Sequence, residues 1–97
     1  MDTRGILITK KILDDKELPY WMYREKAELD IDSGWRIFSG TESEEYLNNP
    51  QNTVPVSYET VIKLDPDIEI NLLAPYGTAF ERNTKTKKWE IIEDWNI

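Results

Sequence analysis

Apolar residues in the first part of the chain come in short runs separated by charge. Residues 6–13 are rich in Ile and Leu and predict a strand. Asp14-Asp15-Lys16-Glu17 breaks the run. The aromatic segment 20–24 predicts a second strand, with Pro19 at its first position, where a missing N–H is tolerated. Asp30-Ile31-Asp32-Ser33-Gly34 has turn chemistry: short acceptors and a glycine free to take positive φ. Residues 35–40 predict a third strand. Its pleat places Trp35, Ile37 and Ser39 on one face and Arg36 and Phe38 on the other.

The pattern then changes to helical. Thr41 and Glu44 have the spacing of a capping box, so a helix is expected to about Asn48, ending before Pro50. Asn48 and Asn49 suit a C-cap, because Asn tolerates the left-handed region. Ser57 reads as the next N-cap, followed by the stripe Tyr58, Val61, Ile62. The stretch between these helices, 53–56, reads as a loop. Asp65-Pro66 opens a further segment with two readings. The Asp-Pro start favours a short helix, which is preferred, while alternation of Ile68, Ile70 and Leu72 with polar residues has a strand period. Residues 76–82 and 88–92 predict a closing hairpin around the loop 83–87. The expected architecture is one α+β domain spanning 1–97. It has an antiparallel sheet of about five strands, with two or three short helices inserted between strands 3 and 4 and packed on one face.

At 97 residues the chain can hold one modest core, and 39% hydrophobic residues set it apart from disordered chains. Nineteen acids against twelve bases leave a formal charge of −7, the wrong balance for a nucleic-acid binder. Without cysteine there are no disulfides, iron–sulfur clusters or zinc-thiolate sites, and without histidine no Ser-His-Asp or Cys-His nucleophile. Glu28, Asp30 and Asp32 ahead of Gly34 invite a calcium reading. Counted from Asp30, however, Gly34 falls at position 5 and Thr41 at position 12, out of register with an EF-hand loop. No metal, cofactor or catalytic residue is expected, since a domain of this size has little room for a cleft with paired carboxylates. The N-terminus lacks the long apolar segment of a signal peptide, and no run approaches a membrane span, so the cytoplasm is the expected compartment.

Most of the aromatics are expected in the core, with Tyr46 and Trp95 the best candidates for exposure. Lys85, Lys87 and Lys88 read as a solvated loop. The acidic helix start, Glu42, Glu44 and Glu45, is the most distinctive charged feature. A short third strand would bring it near Asp32. Its ordinary role is to complement the helix dipole, and its functional role would be to steer a basic partner.

Several segments together resemble one bacterial family. They are Lys10-Lys11-Ile12-Leu13, Met22-Tyr23-Arg24-Glu25, the block from Asp32-Ser33-Gly34-Trp35-Arg36 to Gly40, Glu45-Tyr46-Leu47-Asn48-Asn49-Pro50, and Gly77-Thr78-Ala79-Phe80-Glu81-Arg82. The family is that of the immunity proteins of polymorphic toxin systems, family thirty-three. The resemblance covers almost the whole chain and implies a small cytoplasmic protein that binds a cognate toxin domain and blocks it. It carries over no catalytic residue and no cofactor. The 53–56 stretch and the 95–97 tail depart from the family pattern. A basic, nuclease-like toxin would suit the acidic charge. Candidate partner-binding residues are Asp32, Trp35, Arg36, Glu42, Glu45, Tyr46 and Asn49. Two competing readings are a small regulatory or housekeeping domain that binds a peptide, sugar or nucleotide through aromatics, and an enzyme that uses carboxylates alone.

Overall fold

The structure is a computed structural model and describes residues 2–93. Strand β1 (Gly5–Thr9) runs into a single helical turn, α1 (Lys10–Leu13). Strands β2 (Trp21–Arg24) and β3 (Asp32–Phe38) follow as a hairpin. After β3 come α2 (Glu44–Asn48), a 3-10 turn (Pro50–Asn52), β4 (Thr53–Val56), α3 (Tyr58–Leu64) and a longer 3-10 segment (Pro66–Leu73). The hairpin of β5 (Ala79–Arg82) and β6 (Trp89–Ile91) closes the fold.

The α+β class holds, and the sheet is mostly antiparallel. It has six strands in the order β4-β1-β3-β2-β5-β6. The β1–β3 pair is parallel and the other pairs are antiparallel. Three local expectations are corrected. The first strand stops at Thr9, because Lys10 to Leu13 coil so that Ile12 enters the core while both lysines stay only half-buried. Residues 53–56 form a strand on β1 rather than a loop, and Pro55 is accommodated because β4 lies at the sheet edge. The cap of α2 is Ser43, whose hydroxyl accepts from the Tyr46 amide at 3.0 Å, in place of the predicted Thr41–Glu44 box. The 66–73 segment takes the helical alternative. Ile68 and Leu72, four apart, are buried while Ile70 is 74% exposed, which a strand period would forbid.

One face of the sheet builds the core. Ile6, Ile8, Met22, Trp35, Ile37 and Phe80 pack with Ile12 of α1, Tyr58 and Val61 of α3, and Ile68 and Leu72. Full burial of each large aliphatic side chain stabilises the fold by roughly 1.5–3 kcal/mol. Among these groups lies an ion pair, Asp65 with Arg82, whose side chains are 4% and 2% exposed. Burial pushes the Asp65 carboxyl up, and the Arg82 charge pulls against it. The Arg82 guanidinium also lies over the Trp89 ring at 4.6 Å. The expected turn at 30–34 and strand at 35–40 also shift. The turn closes by Ile31, and Asp32-Ser33-Gly34 already belong to β3, which ends at Phe38. Gly34, at φ +91°, is required there because a Cβ would sit 1.9 Å from the Glu25 carbonyl oxygen.

Candidate functional site: the second face of the sheet

The pleat that sends Trp35 and Ile37 into the core turns Arg36 and Phe38 to the other side. Register then assembles a surface from strands far apart in sequence. Phe38 lies beside Trp21, while Arg36 lies between Tyr23 and Leu7. The ring centroids of Trp21 and Phe38 are 5.0 Å apart, those of Trp21 and Tyr23 5.2 Å, and those of Tyr23 and Phe38 6.0 Å. These spacings are those of offset and tilted aromatic contacts. Burial raises the Tyr23 phenol, and the Glu25 charge adds to it.

The centre of this face is charged. Arg36 grips Asp32 with two hydrogen bonds, Nη1 to Oδ1 and Nη2 to Oδ2, each 2.9 Å. Its Nε donates to Glu25 Oε2 at 2.9 Å. One cation therefore faces two carboxylates. The Arg36 hydrogen bonds hold the Asp32 carboxyl below the usual carboxylate range, outweighing its burial. Burial pulls the Arg36 guanidinium down, and its bonds to Asp32 and Glu25 more than restore it.

The third part is apolar. Leu29 and Ile31, in the β2–β3 turn, are 65% and 75% exposed. With Leu7, Gly5 and Pro55 they line a groove of about 300 Å³. The Gly5 amide donates to the Ile31 carbonyl at 2.7 Å and so fixes the turn against β1. These exposed apolar side chains alternate with the acids Glu28, Asp30 and Asp32.

The predicted residues divide among three places. Asp32 and Arg36 lie together on this face. Trp35 is fully buried in the core, so it shapes the face through packing and offers no contact surface. The remaining candidates gather beyond the far end of β3, about 20 Å along the strand from Asp32, because Asp32 itself begins the strand. The expected proximity of the acidic helix to Asp32 is thus corrected. Glu42 is not a freely presented charge. Its carboxylate accepts from the Thr9 hydroxyl at 2.6 Å and from the amides of Ser39 and Gly40 at 2.8 and 2.9 Å. Burial raises Glu42, but these hydrogen bonds prevail and leave its pKa lowered. Glu45 is exposed, and Tyr46 is half-buried with Lys11 Nζ 5.4 Å from its ring centre. The Asn49 side chain caps the 3-10 turn through the Gln51 amide, with φ −89° rather than a left-handed conformation. Trp95 lies outside the described residues.

Glu25, Leu29 and Ile31, which stand beside Asp32 and Arg36 on this face, are not among the sequence candidates. Their signal was the alternation of Leu29 and Ile31 with acids in a segment otherwise read as a turn. Among the described residues no group of three metal-binding side chains converges, and no helix is long and apolar enough to cross a membrane.

The sheet thus has one face in the core and a mixed aromatic, charged and apolar second face. Residues 6–93 match the sequence model of the immunity protein Imm33 domain, and the chain belongs to that family. No curated protein and no solved structure matches the chain.

Proposed function

We propose that this protein neutralises a cognate toxin domain by binding it directly, and that the second face of the sheet is the surface it uses. Family membership supports the immunity role. The observation that carries the choice of surface is the exposed Leu29–Ile31 pair beside the Asp32–Arg36–Glu25 cluster. Such a face provides apolar anchors within a negatively biased rim. A partner with a basic working surface, such as a nuclease-like toxin, complements it. The inhibitor acts in the cytoplasm as a single domain and blocks by occupancy, so it needs no catalytic group.

The test is co-expression with the cognate toxin domain, read as rescued growth and a stoichiometric complex on purification. Substituting Leu29→Ser together with Ile31→Ser weakens the complex at least tenfold, while thermal stability stays within about 0.5 kcal/mol, since both side chains are already exposed. Absence of any complex with the wild-type chain refutes the immunity reading. A complex unaffected by the double substitution refutes this surface.

A further inference from the structure

On the core side of the sheet, a cavity of about 510 Å³ opens between α3, the 3-10 segment and the first residues of the chain. Arg24 of β2 lines it. Of the chain's four arginines, Arg4, Arg36 and Arg82 each contact a carboxylate, whereas Arg24 has none within 4 Å among the described residues. Its fork is held by backbone oxygens. Nε donates to the Ser33 carbonyl at 2.9 Å and Nη1 to the Ala74 carbonyl at 2.8 Å. The guanidinium also rests 4.6 Å from the Tyr76 ring centre and 5.6 Å from that of Trp35. Nη2 has no acceptor among the described residues. Carbonyl dipoles and ring faces orient this cation without neutralising it, which makes it a preorganised donor for an anion.

The rest of the cavity narrows the kind of anion. Asp2 does not compensate Arg24, because its two oxygens are taken by Arg4 Nε and Nη2 at 2.6–3.2 Å. The Tyr58 hydroxyl reaches Asp2 at a long 3.3 Å and can turn to a closer acceptor. Ile62, Leu72 and Leu73 supply apolar walls, and exposed Glu69 adds a negative charge at the lining. Arg4 also lines the cavity but is neutralised by Asp2, so Arg24 is the one cation without a paired carboxylate, which suits a single negative charge and disfavours a dianion. The aliphatic walls suit a hydrocarbon body.

We propose that this cavity binds the carboxylate of an aliphatic acid. Arg24 Nη2 and the Tyr58 hydroxyl hold the carboxylate, and Ile62, Leu72 and Leu73 pack its chain. The same chemistry is offered by a free small acid and by the C-terminal leucine of a peptide. This inference is independent of toxin binding.

The test is a ¹H–¹⁵N NMR titration of the intact chain at low ionic strength. The probes are hexanoate, an acetylated tripeptide ending in leucine with a free carboxylate, and the uncharged controls hexanamide and the peptide amide. Hexyl phosphate as the dianion is the fifth probe. We expect saturable shifts at the Arg24 Nε–H and nearby amides with at least one carboxylate probe, at a Kd of about 1 mM or tighter. Saturation by hexanoate alone identifies a free acid as the ligand, and by the peptide alone a chain end. The amides do not saturate, and the phosphate binds more weakly than hexanoate. Arg24→Met abolishes binding. Leu73→Glu, at a position 83% exposed, weakens it at least threefold without disturbing the fold. No saturation by either carboxylate up to about 20 mM, or equal binding of the amides, overturns the proposal. Undiminished affinity in Leu73→Glu also overturns it, and this variant decides the matter should Arg24→Met fail to fold.

Discussion

At the scale of single residues, the buried polar groups are the most exacting parts of this fold. Asp65 and Arg82 pair where water has little access, and Arg82 Nε is left without a hydrogen-bond partner among the described residues. Removing the acid leaves Arg82 charged in the core, so Asp65→Ala destabilises by about 3–5 kcal/mol, measurable by urea unfolding. Glu42 plays a comparable part at the β3–α2 turn, where its carboxylate joins Thr9 of β1 to the amides of Ser39 and Gly40. Glu42→Ala costs about 2 kcal/mol, because two amides and a buried hydroxyl lose their acceptor. The same group sets a pH dependence. Its folded pKa is lowered, so its stabilisation is complete above the ordinary glutamate value and is lost as pH falls through the lowered one. The stability gap between wild type and Glu42→Ala therefore narrows in acid, and a gap constant across that window would contradict the hydrogen bonding described.

At the scale of elements, the β2–β3 hairpin sets the geometry of the candidate site. Gly34 lets the Glu25 backbone approach closely, and the Glu25 amide donates to the Gly34 carbonyl at 3.0 Å. That contact holds Glu25 beside Arg36 and places the Leu29–Ile31 turn at the edge of β1. Gly34→Ala combines a positive φ with a backbone overlap and should destabilise by about 2 kcal/mol or more, well above a surface substitution. Calorimetry showing no loss would sink this account of the turn. Short helices behave consistently with their capping. Each of α2 and α3 begins at a serine whose hydroxyl accepts from the amide three residues on. Ser57 was legible in the sequence, but Thr41 competed with Ser43 for the role at α2. Tertiary contacts settled that choice, because the Thr41 hydroxyl is engaged with Glu17 at 2.6 Å.

At the scale of the molecule, the charge of −7 bears on how a partner arrives. For the basic partner proposed above, long-range attraction raises the association rate and is screened by salt. Association measured by stopped flow should slow at least tenfold between about 20 and 500 mM salt, with a smaller change in dissociation. A salt-independent on-rate would remove electrostatic steering from the proposed mechanism. The site itself is a product of this scale. Leu7, Arg36 and Tyr23 become neighbours only because β1 pairs in parallel with β3 while β2 joins its other edge. Most of the candidate surface was therefore illegible in the sequence, although Asp32 and Arg36, four residues apart on one strand, were already among its candidates.

The sequence by itself determined the α+β class, the alternation of residues 35–38 and the helix start at Ser57. Each follows from neighbours within a few positions, through pleat, steric or capping geometry. Only the tertiary structure decided that Trp35 rather than Arg36 faces the core, that residues 53–56 pair with β1, and that Glu42 is held by Thr9. Those outcomes depend on partners tens of residues away, and local patterning carries no record of which distant strand will supply the matching hydrogen bonds and apolar area.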